Sequence, residues 1–369
     1  MDNLFFSFDL NNFTKIDKEK QPDEIIDAKK NFNKTIKDSR RLSKLKKCYY
    51  CMTDCDSFCN SHTLPAFCLR NIAQNGKVYY SNSILNLPLL KNEKGINEAG
   101  TFHLICRDCD SKIFQDYENP NNYEDIPSMK MLSQIDMKNN LKNISKRLME
   151  KEMYDIMLER FKAREEWTHA KKYVSDLDLK EYKEDYIYAK KCSLKPSSGD
   201  YYIGYYVKLP YVVPIAFQGT LALLFDLEGN IINNVYNKNP KYKIKNISLC
   251  IFPLKSTSVV MIFVSKKNNN RYRDFFKQLK KLNSLEEQLS LINYILFLYS
   301  EDYFLSTSIP QDVLNELVSL SSKTPELITF GLEPPSLEET IQAAKEIFKL
   351  QDRKSIPNLL SNQFALNNE

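Results

Sequence analysis

Hydrophobic positions recur along this chain in two rhythms, and each predicts a different kind of element. From Pro22 the rhythm is helical: Ile25, Ile26, Ile36, Leu42 and Leu45 form a patchy apolar stripe, with Pro22 where a first-turn proline belongs. The same rhythm returns over residues 128 to 192, where Leu141, Ile144 and Leu148, then Ile156, Met157 and Phe161, stand among dense charge. That pattern predicts two or three long amphipathic helices. Past KPSSGD (residues 195–200) the rhythm changes to runs of strand length. YYIGYYVKL, TLALLFDL, ISLCIFPL and SVVMIFVS are aromatic and β-branched, and turn residues such as EGN and PLKST separate them. RYRDFFKQLKKL and SLEEQLSLINYILFLYS then read as helices, with further helices near 311–321 and 336–349.

The remaining stretches are punctuation. MDNLFFSFDLNN at the start fits either a short strand or a docking tail, and GKVYYSNSILNLPLL suggests a hairpin or loop covering a site between its flanks. ENPNNYEDIPS is a turn-rich break. Strands followed by segregated helices predict an α+β class with an antiparallel sheet. Four segments follow: a basic helical one (1–47), a cysteine-rich module (48–120), a helical one (121–195) and an α+β domain (200–369). The 369 residues, 43% of them hydrophobic, exceed the roughly 150 expected of one domain, so two or three packed units are expected.

Charge narrows the partners. A net +5 from 52 basic and 47 acidic residues is small, so any nucleic-acid surface must be local. It has one obvious place: between Lys29 and Lys47 stand nine Lys or Arg against a single acid, Asp38, a local net of +8. Arg40, Arg41, Lys44, Lys46 and Lys47 are the expected phosphate contacts, a solvated helix face being the alternative. No apolar run approaches the roughly 18 residues of a membrane span, and no leader pattern is visible. A cytoplasmic protein without a membrane partner is expected. No GxGxxG or GxxxxGK[ST] occurs among the 8 glycines, which argues against a nucleotide-phosphate loop.

Nine cysteines, an odd count, fit thiols and metal ligands better than disulfides in a reducing compartment. Cys48-x-x-Cys51 and Cys106-x-x-Cys109 are two tight turns that can each present two thiolates to one tetrahedral zinc ion. The alternative is a set of unrelated buried thiols. Cys55 and Cys59 are substitutes for a ligand or, more simply, packed thiols in the connection, while Cys68, Cys192 and Cys250 lie in apolar runs as small hydrophobes.

The two CxxC pairs, with Ser61-His62-Thr63-Leu64-Pro65 after the first and Asp110 directly after the second, resemble the zinc-bearing members of the HNH endonuclease family over residues 48–120. The resemblance implies a treble-clef ββα unit stapled by zinc on Cys48, Cys51, Cys106 and Cys109. It also implies His62 as general base and Asp110 as ligand to a catalytic Mg²⁺ or Mn²⁺. Ser61 stands where that family usually has an acidic ligand, and Thr101 where it has an orienting asparagine.

Two functions are expected from this. One is an HNH-like nuclease acting on DNA or RNA, in the manner of bacterial restriction or phage-defence factors. The other is a non-catalytic zinc-stabilised module that holds nucleic acid or a protein partner; an oligomer is compatible with both. Lesser signals carry less: Glu118 as a capping or surface carboxylate, His103 as structural, His169 as a surface residue, and YVVPIAFQG as core.

Overall fold

The structure is a computed structural model, and it describes residues 22–81, 93–161, 165–237, 239, 241–300, 302–321 and 336–366. The opening MDNLFFSFDLNN and residues 82–90 of the GKVYYSNSILNLPLL insertion lie outside these residues.

Helix α1 (Pro22–Leu42) precedes the cysteine-rich segment, which contributes β1 (Ser61–His62), α2 (Ala66–Ile72), β2 (Lys77–Ser81), β3 (Glu93–Gly95), β4 (Thr101–Phe102), α3 (Arg107–Ile113) and α4 (Gln115–Glu118). Two long helices follow, α5 (Met129–Phe161) and α6 (Glu165–Leu194). The rest is β5 (Tyr201–Leu209), β6 (Ile215–Leu221), β7 (Ile247–Pro253), β8 (Ser258–Ser265), α7 (Asn269–Lys280), α8 (Leu285–Tyr299), β9 (Tyr303–Ser306), α9 (Gln311–Ser321) and α10 (Leu337–Ile347).

A seven-stranded antiparallel sheet in the order β3-β2-β9-β6-β7-β8-β5 organises the chain. β7 and β8 are buried along their whole length because both faces of the sheet are covered. Alternate residues divide between two cores. Ile247, Leu249, Ile251, Val260, Ile262 and Val264 meet α7 and α8, while Cys250, Phe252, Val259, Met261 and Phe263 meet α5, α6 and α2. A bulge in β5 at Gly204 admits the Phe276 ring of α7, which a Cβ there would strike at 2.1 Å.

Three expectations change. Only the first two residues of TLALLFDL are in a strand: β6 begins upstream and ends at Leu221, and the Asp226 carboxylate accepts the backbone N–H groups of Glu228 and Asn230, both at 2.9 Å, turning the chain back. The cysteine-rich segment and the C-terminal part are not separate units, because its hairpin β2–β3 docks on β9 and extends the sheet. Nor is α5 amphipathic. Its residues 131–140 are buried on every side, including Ser133, Gln134, Asp136, Lys138, Asn139 and Asn140.

Several of those buried polar groups are hydrogen-bonded across the layers, as burial favours. Gln134 reaches Asp116 at 2.6 Å, Gln218 of β6 reaches Asn139 at 3.1 Å, and the Tyr201 hydroxyl reaches Asp136 at 2.9 Å. Burial, aided by the negative charge of Asp185, pushes the Asp136 carboxyl up to about 7. A raised acid is protonated in the fold while the unfolded chain ionises near 4, so this group erodes stability as pH rises from about 4 to about 7. Asp136→Asn is therefore expected to raise the Tm at pH 8 by a few degrees and to flatten its decline from pH 5 to 8. An unchanged pH profile in thermal denaturation would disprove the assignment.

Candidate metal centre

The first CxxC lies in a tight turn: Met52 sits at φ 61°, and its N–H donates to the Cys48 carbonyl at 2.9 Å. The second spans the start of α3, with Cys106 at its N-cap. Backbone bonds from Tyr49 N–H to Leu104 and from Cys59 N–H to Ile105 lock the two turns together. Gly100, at φ 62°, supplies the close approach beneath them, where a Cβ would meet Phe304 at 2.2 Å.

This scaffold brings the Sγ atoms of Cys48, Cys51, Cys106 and Cys109 within 4.8 Å of one another. Ligands on a tetrahedral zinc ion, with Zn–S near 2.3 Å, stand about 3.8 Å apart, so the cluster fits with small adjustments. All four are free thiols, and the Cys106 N–H donates to the Cys48 sulfur at 3.3 Å. The hydrogen bond with Thr53 pulls Cys51 down to about 6, whereas burial, then its neighbouring thiols, push Cys109 well up. A divalent cation would favour ionisation of the whole set. Cys55 and Cys59 stand outside the cluster, bonded to the Ser57 carbonyl and the Asp110 carboxylate respectively. Cys68, Cys192 and Cys250 are buried.

Asp110 does not face an open cation site. Its Oδ1 accepts from the Ser61 hydroxyl at 2.6 Å and from the Lys138 ammonium at 2.9 Å, and its Oδ2 accepts from the Cys59 thiol at 3.3 Å. Burial opposes its ionisation, but Lys138 and Ser61 outweigh that and hold the carboxyl below its usual range. Burial and the Asp110 charge push Cys59 up to about 11. Lys138 has no exposed surface; it also donates to Glu118 at 3.0 Å and lies 3.9 Å over the Phe114 ring. Glu118 is thus neither a cap nor a free surface acid.

His62 is directed elsewhere. Successive strand residues project to opposite faces, and while Ser61 reaches Asp110, the His62 Nε2 bonds the Ile96 carbonyl at 3.0 Å. No bond joins His62 to Asp110 among the described residues. His103 bonds the Asn60 side chain, and His169 is exposed beside Glu165 at 3.4 Å.

The basic segment flanks this centre. Ile36 of α1 packs with Met149, Met153 and Met157 of α5, and Asp38 binds Arg160 at 2.6 Å, which turns the cationic face outward. Lys34, Lys37, Arg40, Arg41, Lys44, Lys46 and Lys47 are exposed. Lys47 pairs by backbone bridge with Asp54, so the stretch runs directly into the first CxxC.

Lys138 is the residue that sequence reasoning missed, because a lysine among asparagines and charges reads as solvated. Among the described residues no helix is long and apolar enough to cross a membrane. No protein-family model, no curated protein and no solved structure matches this chain, which leaves the meaning of the centre to its own geometry.

Proposed function

We propose that the four cysteines hold a structural zinc ion and that the module they staple, with α1, is a non-catalytic surface for nucleic acid. The observation that carries the reading is Lys138: its ammonium, fully buried, neutralises Asp110 and Glu118 where a catalytic cation would otherwise sit. A carboxylate so engaged, with His62 bonded to a backbone carbonyl on another face, offers neither a metal site nor an aligned base. The resemblance to HNH nucleases then extends to the zinc-stapled ββα frame and stops short of its chemistry.

Phosphate contacts from α1 and the residues after it make binding strongly salt-dependent and tolerant of sequence. Changing Arg40, Arg41, Lys44 and Lys46 together to Gln is expected to weaken DNA or RNA binding and to lower the slope of log K against log salt by about three to four. Fluorescence anisotropy at several salt concentrations measures both. An unchanged slope would mean that the helix is only a solvated face. Cleavage of either nucleic acid that requires Mg²⁺ or Mn²⁺ and disappears in His62→Ala would instead restore the nuclease.

A further inference from the structure

Helix α6 carries stripes on two opposite sides. Ser175, Leu179, Tyr186, Ala189 and Cys192 are buried along the side that packs on α5 and the sheet. About half a turn of the helix away, Tyr173, Leu177, Ile187 and Leu194 are between 48% and 65% exposed. Large apolar residues scattered singly over a surface need no explanation. Here, of the thirteen that are exposed among the described residues, five lie on this one helix, Val174 being the fifth. Such clustering marks a contact surface.

The spacing shows what kind of surface it is. With the exposed Lys180, Glu184 and Lys191 filling the gaps, the stripe steps by four and three residues in turn from Tyr173 to Leu194, which is the seam of a two-helix coiled coil. The order of charges along it then selects the partner. Two copies of α6 laid parallel in register would set Lys180, Glu184 and Lys191 each against its own copy, and like charges so placed repel. Laid antiparallel about an axis level with Tyr182, they set Leu177 against Ile187 and Lys180 against Glu184, with Tyr173 against Lys191 and Leu194 against the small Ala170 towards the ends. Each of these pairs forms twice. Sliding that arrangement by one seven-residue repeat brings Lys180 onto Lys191 in one direction and onto Leu177 in the other. One register alone matches charge with charge and apolar with apolar. Glu184 uses its Oε2 for the exposed Lys243, which leaves Oε1 for an ammonium across the axis.

We infer that α6 pairs antiparallel with α6 of a second copy of this chain about a two-fold axis, so that the protein is a symmetric dimer. The inference is independent of the metal centre and of nucleic-acid binding. A seam about 36 Å long at 1.5 Å per residue lies at the small end of specific interfaces, so a micromolar dimer is expected.

Sedimentation equilibrium of the full chain and of charge-swapped variants tests it. The wild type is expected to dimerise with a Kd on the order of 10 μM. Lys180→Glu and Glu184→Lys each set like charges across the axis and should weaken that association by about tenfold or more. An equimolar mixture of the two variants restores both pairs in a heterodimer, and a chain carrying both changes restores them in a homodimer. Each is expected within about threefold of the wild-type affinity. Leu177→Glu should leave a monomer. All three positions are exposed, so the variants should fold with the Tm of the monomer moved by no more than a few degrees. A wild type that stays monomeric at concentrations on the order of 100 μM, single swaps that dimerise as tightly as the wild type, or a double swap that fails to recover the dimer would each overturn the inference.

Discussion

Cys106→Ser is expected to leave the protein without zinc and to lower its Tm by about 5–6 °C, since loss of a structural metal belongs to the rare changes worth some 4–5 kcal/mol. The segment around Cys48 is short turns with little apolar surface of its own, and the exposed Cys51 contributes almost no packing. Metal coordination supplies the folding free energy that such turns lack. Elemental analysis should find one zinc per wild-type chain and none in Cys106→Ser. Cys55→Ser should keep the metal, because Cys55 lies outside the cluster. The loss should stay local: amide exchange should quicken around Cys48 and Cys106 and remain slow in β7 and β8, whose residues are all buried. Wild-type protein without zinc, or a serine variant with full metal and unchanged stability, would refute the assignment.

Lys138→Met is expected to cost about 3–5 kcal/mol at pH 7, because removing one partner of a buried ion pair strands the other. The pH dependence separates this cause from lost packing. In the wild type the Asp110 carboxyl is held below its usual range, so its contribution is fully present above about pH 4 and fades only as pH falls through the lowered value. Without the ammonium, burial acts on Asp110 unopposed by Lys138 and favours the protonated acid. The variant should therefore gain stability as pH drops from 7 towards 5, a window in which Asp110 gives the wild type no gain. Adding Asp110→Asn should recover part of the loss. Urea unfolding at pH 5, 6 and 7 decides it. A variant as stable as the wild type at pH 7 would show that Lys138 is not what neutralises this site.

What could be read from the residues was whatever depends on near neighbours. The two CxxC spacings placed the thiol cluster, and the aromatic and β-branched runs of β7 and β8 read as strands of an antiparallel sheet. The reading lost its hold where partners are distant. TLALLFDL has strand composition, yet the Asp226 turn lies inside it, and a side chain accepting its own chain's N–H groups outweighs propensity. YFLS of β9 is too short to stand out, although it joins β2 to β6. Asp110 looked like a metal ligand because Lys138, 28 positions on, carries no local sign that its ammonium turns inward.

The pairing of β2 with β9 sets the order in which the chain can assemble. Val78 finds its partner at Ser306, so the edge of β2 stays unpaired on its β9 side until the last quarter of the sequence has been made. At roughly 5–20 residues per second of synthesis, that delay lasts on the order of 10–45 s. The cysteine cluster, complete at residue 109, can close long before then. A nascent chain is thereby given a finished cysteine cluster beside an open strand edge, and β9, a four-residue segment, ends that exposure.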